Sequence, residues 1–296
     1  MRHAGTLVRV STSTIDDHAA PPAHTHRTWG KAFDDLRRGW QQKELWGHLG
    51  WQDIKQRYRR SVLGPIWITL SMAVTAVGLG LLYSQLFSAD IPNFLPYVTV
   101  GFIVWNFVAG CVNEGAEVFI SNEGLIKFLP SPLSVHVYRL VWRQVLFFLH
   151  NLLVWIAMLA IFPPDGVVAH WKLTMLMAIP AFIILALNGL WVAFLTGVIS
   201  TRFRDIPPII GSVMQLLFFG TPIVWELKTL SERTQITKDV LELNPFLHFV
   251  EMLRQPMLGR DIIWHHWVVA GIITVVGWVL ALLFMRNYRA RVSYWV

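Results

Sequence analysis

The chain has 296 residues, 54% of them hydrophobic and only 15% Asp, Glu, Lys or Arg, with a mean hydropathy of +0.48. Soluble domains carry about 25% charged residues, so a surface facing water throughout is excluded. The net charge of +7 raises nucleic acid as a partner, but the cations flank apolar runs instead of interrupting them, as anchors at lipid headgroups do.

Fifteen Trp and six Tyr suit the two interfaces of a membrane. Cys111, the single cysteine, rules out an intrachain disulfide and a CxxC redox pair, and it reads as a small packing residue. The first 40 residues hold no apolar h-region. Targeting is therefore expected to rest on the first spanning segment and not on a cleaved leader.

Residues 1–34 are expected to form a flexible cytoplasmic tail, because their Ser, Thr, Ala, Pro and His follow no helix or strand period. His24 and His26 lie close together, but two imidazoles without further organised ligands do not make a metal site. Residues 35–65 read as a cytoplasmic amphipathic gate or interface region, with a short helix around Leu36–Trp46 loosened by Gly47 and Gly50. From Trp51 the pattern sharpens: Trp51, Ile54, Tyr58 and Val62 fall on one side of a helix, and Lys55, Arg57, Arg59 and Arg60 lie outside that stripe. Two arrangements satisfy this. The helix lies in the inner interface with its cations among headgroups, or it packs as a surface helix on a cytosolic partner. Gly64-Pro65 then permits a turn into the next helix.

Six uncharged runs follow: Ile66–Phe87, Phe94–Val112, Gln144–Phe162, Leu173–Thr201, Ile206–Trp225 and Ile262–Met285. Each approaches or exceeds the roughly 20 residues that a bilayer core requires. The fourth is long, and tilt or a bend near Pro180 absorbs the excess. The fifth, opened by Pro207-Pro208 and containing Gly211, Gln215 and Gly220, reads as a crossing or as a re-entrant segment. The fold expected is an all-α integral membrane protein, with six transmembrane helices over residues 66–285 behind an N-terminal amphipathic interface helix. Nineteen of the 25 Lys and Arg fall on the side of the N-terminus, which places both termini, including residues 286–296, in the cytoplasm.

Two connections are too long for turns. In the cytoplasmic loop 113–143, Val118, Phe119, Leu125, Ile126 and Phe128 make a partly helical pattern stopped by Pro130 and Pro132, suited to docking a cytosolic partner. The external segment 226–261 carries Asn244-Pro245 and the apolar cluster Phe246, Leu247, Phe249 and Val250, so one or two short helices are expected at the outer surface.

The sequence has no P-loop, no G-x-S-x-G, no H-E-x-x-H and no closely spaced metal-ligand cluster. No catalytic residue, metal site or bound cofactor is expected in this chain. The proposed spans hold no Asp, Glu, Lys or Arg, which argues against an ion-coupled carrier. His150, His265 and His266 read as interfacial or packed. The polar residues inside spans are Ser71, Thr75, Asn106, Asn188, Thr196, Gln215 and Thr221. They serve helix-helix hydrogen bonds or, beside Trp105, Phe107, Trp191, Phe218 and Phe219, a path for carbohydrate.

Three stretches carry a family resemblance: DIKQRYRRSVLGPIWITL from Asp53 to Leu70, TRFRDIPPII from Thr201 to Ile210, and LNPFLHFVEMLR from Leu243 to Arg254. Over about residues 35–290 the chain resembles the permease subunit of polysaccharide-exporting ABC-2 type (type V) transporters, which serve O-antigen, capsule and teichoic acid export. The resemblance implies an inner-membrane complex of two copies of this subunit with two copies of a cytoplasmic nucleotide-binding ATPase. ATP and Mg are bound by that ATPase, and the substrate is a lipid-linked polysaccharide. It also implies that the segment before Pro65 is a gate helix. Glu123, Leu125, Ile126, Lys127 and Phe128 would couple to the ATPase, together with Arg202, Arg204 and Asp205 in the second cytoplasmic connection. Gln215, Phe218, Phe219 and Pro222 fall near the dimer interface and channel, and Trp105 and Asn106 join them as channel-lining candidates. Lys55, Arg57, Arg59 and Arg60 suit the diphosphate headgroup of a lipid-linked polymer as well as membrane phospholipid. O-antigen is the favoured substrate. Capsule, teichoic acid, a drug, a small lipid, and an enzyme modifying lipid or glycan are the alternatives.

Overall fold

A computed structural model of the protein describes residues 28–129, 131–162, 173–226 and 241–296, and all regular structure within them is helical. His24 and His26 lie outside the described residues. The two helical segments expected here, around Leu36–Trp46 and from Trp51 onward, appear with other bounds as α1 (Trp29–Gln41) and α2 (Lys43–Arg57). Thr28 starts the first, its Oγ1 accepting from the Lys31 amide at 3.4 Å. Gly47 and Gly50 do not break the second. Gly50 instead lets α2 lie close on a neighbouring helix, where a Cβ would sit 2.9 Å from Trp142 Cδ1. Since α2 ends at Arg57, the apolar stripe stops short: Ile54 is buried, but Val62 is fully exposed in the following turn. Gly64, at φ 55°, supplies the left-handed residue that turns the chain into α3.

Among the described residues five helices are long and apolar enough to cross a membrane: α3 (Ile66–Leu86), α4 (Ile91–Glu117), α6 (Leu133–Ile161), α7 (Ala178–Arg202) with its leading 3-10 turn Leu173–Met177, and α10 (Trp264–Trp295). They contain 21 to 32 residues. At about 1.5 Å per residue each spans roughly 30 Å or more. The other elements are α5 (Glu123–Phe128), α8 (Ile206–Gly220) and α9 (Pro245–Met257).

Three boundaries differ from expectation, each for a local reason. α6 starts at Leu133, not Gln144, because Arg139 and Arg143 are paired with carboxylates and do not end the helix. α8 has only 15 residues, about 22 Å, because Thr221 precedes Pro222 and is steered out of helical backbone. Pro180 lies in the first turn of α7, where a missing N–H is tolerated, so it imposes no mid-helix bend.

The core is built on α4, buried at every position from Phe94 to Trp105. It packs against α3, α6, α7, α8 and α9. α7 crosses it closely at Gly115, where a Cβ would lie 2.8 Å from the Ala193 Cα, and at Gly197, which faces Val118. α10 closes the bundle against α7 and α9.

One end of the bundle collects the charge. There Asp35 of α1 accepts from the Ser134 amide at 3.0 Å and the Leu133 amide at 3.3 Å, capping α6 from another helix. The same carboxylate pairs with Arg289 of α10 at 2.7 Å. This basic end holds α1, α2, α5, the start of α6 and the ends of α7 and α10. At the opposite end α9, a short helix within the segment 226–261, packs into the bundle. Phe246 sits on Trp105, with ring centroids 5.6 Å apart, and Arg254 lies 3.8 Å over the Tyr97 ring. Trp105 is roughly 21 Å along α4 from its start, so α9 runs outward from within the bundle.

Candidate functional site

An ion network ties α2, α6 and α4 together at the basic end. Asp53 accepts from Arg139 Nε at 2.8 Å and from Arg143 Nη1 at 2.7 Å, and its other oxygen pairs with Arg139 Nη2. Arg143 Nη2 pairs in turn with Glu114 of α4. Arg139 and Arg143 are one turn apart on α6, so both reach the same carboxylate. Burial pushes the Asp53 carboxyl up, but the two guanidiniums outweigh it and hold the group below its ordinary range. Arg57 joins at the edge: Nη2 is 4.0 Å from Glu114 Oε1, and the guanidinium lies 5.5 Å from the Phe147 ring centroid.

From this network a cleft of about 430 Å³ extends between α3, α4 and α6. Arg57 and Glu114 stand at one end, and the amides of Asn106, Gln144 and Asn151 line it. The rings of Phe102, Phe107, Phe147 and Phe148 share its walls. Ser71 and Thr75 also line it, but their hydroxyls donate to Ile68 and Ser71 carbonyls of their own helix. Asn106 Nδ2 donates to the Met72 sulfur at 3.3 Å. Gln144 Nε2 and Asn151 Oδ1 are buried without a partner among the described residues. Leaving a buried polar group unpaired costs about 1–3 kcal/mol. A ligand carrying hydroxyls would recover that cost here, and its apolar faces would meet the phenylalanines. A sugar ring has both features.

The structure brings some expected site residues together and separates others. Arg57 and Asn106 share the cleft. Lys55 is exposed, its Nζ 5.7 Å from the Trp51 ring, and Arg59 and Arg60 are exposed in the turn after α2. Trp105 is buried away from the cleft against Phe218, with centroids 5.7 Å apart. Phe218 also touches Phe102, a ring of the cleft wall, at 5.7 Å. Gln215 is exposed on α8, Phe219 is 61% exposed, and neither lines the cleft. Pro222 is buried, and its carbonyl accepts from Arg254 Nη1 at 2.8 Å and Tyr97 Oη at 3.3 Å.

Glu123, Leu125, Ile126, Lys127 and Phe128 all lie in α5. Lys127 donates to Glu123 at 2.6 Å and holds that carboxyl below its ordinary range, with a smaller pull from Arg204. Ile126 is buried against the bundle, while Leu125 and Phe128 point outward. Arg204 Nη2 donates to the Trp295 carbonyl at 3.5 Å, Arg202 lies 5.7 Å from the Trp295 ring, and Asp205 is exposed before α8.

Sequence reasoning missed Asp53, Glu114, Arg139, Arg143, Gln144 and Asn151 as a set. The signal was present in the four-residue spacing of Arg139 and Arg143, but those arginines read as loop charge. His265 and His266 are packed together with His248, whose Nδ1 is 2.9 Å from His266 Nδ1. Among the described residues no group of three or more His, Cys, Asp or Glu is arranged to hold a metal ion.

The profile of a protein family described as ABC-2 type transporter matches residues 44–258. The chain is similar to the O-antigen export system permease protein RfbA of Myxococcus xanthus, at 25% identity over 213 residues, covering 72% of this chain and 79% of that protein. It is also similar to a protein of the same name from Klebsiella pneumoniae, at 25% identity over 245 residues, 80% of this chain and 90% of the relative. A second Klebsiella pneumoniae protein of that name is 22% identical over 243 residues.

Proposed function

The chain belongs to the ABC-2 type transporter family, and on that premise we propose that it is the membrane subunit of an ATP-driven exporter of lipid-linked O-antigen polysaccharide. As a permease of this family it is a transport subunit and not an enzyme. The observation that carries the substrate class is the cleft between α3, α4 and α6, where unpaired amides stand beside phenylalanine rings. The names of its relatives support the choice of O-antigen over other glycans.

In this reading the basic end faces the cytoplasm of the inner membrane, with both chain termini on that side. α5 and the Arg202–Asp205 turn contact a separate ATPase, which binds ATP and Mg. Leu125 and Phe128, exposed on α5, are available for that contact. A second copy of the chain covers α8, whose Ile209, Val213, Leu216 and Phe219 are exposed in the single chain. Arg57, Arg59 and Arg60 meet the anionic headgroup, and the cleft takes the first sugars. Movement of the ATPases shifts α5, and the Asp53–Arg139–Arg143–Glu114 network carries α2 along with α4 and α6.

The test is genetic. Deleting this chain in a strain without a redundant copy should abolish surface polymer, and restoring it should require the companion ATPase. Unchanged surface polymer in the deletion strain would reject the proposal. Replacing Arg57, Arg59 and Arg60 together by Gln should impair export while leaving the protein in the membrane.

A further inference from the structure

A second cavity, about 560 Å³, lies between the final turns of α7 and α10 at the basic end, away from the cleft of α3, α4 and α6. Its wall changes character with depth. Val198 and Phe284 belong to the uncharged parts of the two helices, while Arg202 and Arg291 lie where charge begins, with Tyr288 and Trp295 beside them. Arg202 is stacked 5.7 Å from Trp295, and Arg291 lies 5.8 Å from Tyr288. The rings hold both guanidiniums without neutralising them. Neither arginine forms an ion pair among the described residues, and no carboxylate lines the cavity. The Arg204 bond to the Trp295 carbonyl fixes the last turn of α10 against the end of α7.

We propose that this cavity binds the phosphate headgroup of an anionic phospholipid, with Arg202 and Arg291 on the phosphate and an acyl chain against Val198 and Phe284. The volume falls in the range of small-ligand sites. Two uncompensated guanidiniums between helices at the membrane boundary are the chemistry that holds such headgroups. Arginine favours phosphate through its planar donor fork. A free phosphate would satisfy the arginines but leave the apolar floor unmatched, so a lipid fits the whole cavity and an inorganic anion only its rim.

The test is lipid binding by the delipidated full chain in detergent, followed by thermal unfolding. It does not require transport, so it stands or falls apart from the export reading. Phosphatidylglycerol should raise the unfolding midpoint by several degrees, whereas phosphatidylcholine and inorganic phosphate should not. Arg202→Gln combined with Arg291→Gln should lose most of that shift, and Arg37→Gln combined with Lys43→Gln, two exposed cations of α1 and α2 outside the cavity, should keep it. An equal shift in the Arg202/Arg291 variant would overturn the proposal, as would equal stabilisation by phosphatidylcholine or by inorganic phosphate. Should the double variant fail to fold, photoactivatable phosphatidylglycerol on the unsubstituted chain decides the matter. Labelling within residues 198–203 or 284–295 is expected, and labelling confined to other segments would contradict it. Absence of any shift with phosphatidylglycerol on the unsubstituted chain would end the proposal.

Discussion

Asp53 and Arg139 face each other across the contact of α2 with α6, the carboxylate oxygen 2.8 Å from Nε. Their side chains are only 14% and 21% exposed. A pair this shielded from water differs from an ordinary surface ion pair, because losing one partner strands the other's charge. Asp53 holds Arg139 and Arg143 at once, so it is the residue on which the attachment of α2 depends.

Replacing Asp53 by Asn should therefore weaken the α2–α6 contact by about 2–3 kcal/mol, less than for a fully buried pair because water still reaches the site. Amide hydrogen exchange should show α2 opening faster while the central helix α4 keeps its protection. Unchanged exchange in α2 would show that its apolar contacts alone hold it.

Acid should act through the same carboxylate. The folded Asp53 group titrates below its ordinary value of 3.8. Its contribution is therefore complete above that value and is lost as pH falls through the lower, folded one. Protection of α2 in the unsubstituted protein, measured against the intrinsic exchange rate at each pH, should stay flat from neutrality down to about pH 4 and fall below it. The Asp53→Asn variant should lack that acid step. A step near neutral pH would point to a histidine instead.

Arg254 is wholly buried, at 0% exposure, and serves three acceptors: the carbonyls of Pro222 and Ile223 and the Glu251 carboxylate. The non-helical segment after α8 lies at the edge of an apolar bundle, where its carbonyls need partners from within the protein. Arg254→Met should cost about 3–5 kcal/mol, as expected for breaking a buried pair. Thermal unfolding should show the loss, and Tyr97→Phe, which removes a hydroxyl bonded to the Pro222 and Trp225 carbonyls, should show a smaller one.

Much of the fold was legible in the sequence, since the long apolar runs report spanning helices whatever their packing. The ends were less legible. A run of hydropathy stops at Arg143, whereas the helix continues to Leu133 because Asp53 and Glu114, distant in sequence, compensate the arginines. The same long-range pairing hid the mouth of the cleft. Asn106 was recognisable as a polar residue inside a span, but Gln144 and Asn151 gained meaning only once α3, α4 and α6 were placed side by side. A short helix was legible in the segment 226–261, but no local signal shows that Arg254 will be buried on Tyr97.

The cleft amides separate a structural role from a ligand-binding one. Gln144→Leu and Asn151→Leu remove polar atoms that lack protein partners, so stability should hold or rise. Combined with Asn106→Leu, they should lower export about tenfold or more, because two or three neutral hydrogen bonds of about 1 kcal/mol each would be lost. Quantified surface polymer, normalised to the amount of permease in the membrane, checks this. Full export by the triple variant would remove the cleft from the glycan path.

The most direct test reconstitutes this chain with its companion ATPase in sealed vesicles and supplies lipid-linked O-antigen on the ATPase side. Polymer should become accessible on the far side only when both proteins and hydrolysable ATP are present. Delivery by this chain alone, or delivery that continues without ATP hydrolysis, would contradict an externally driven permease.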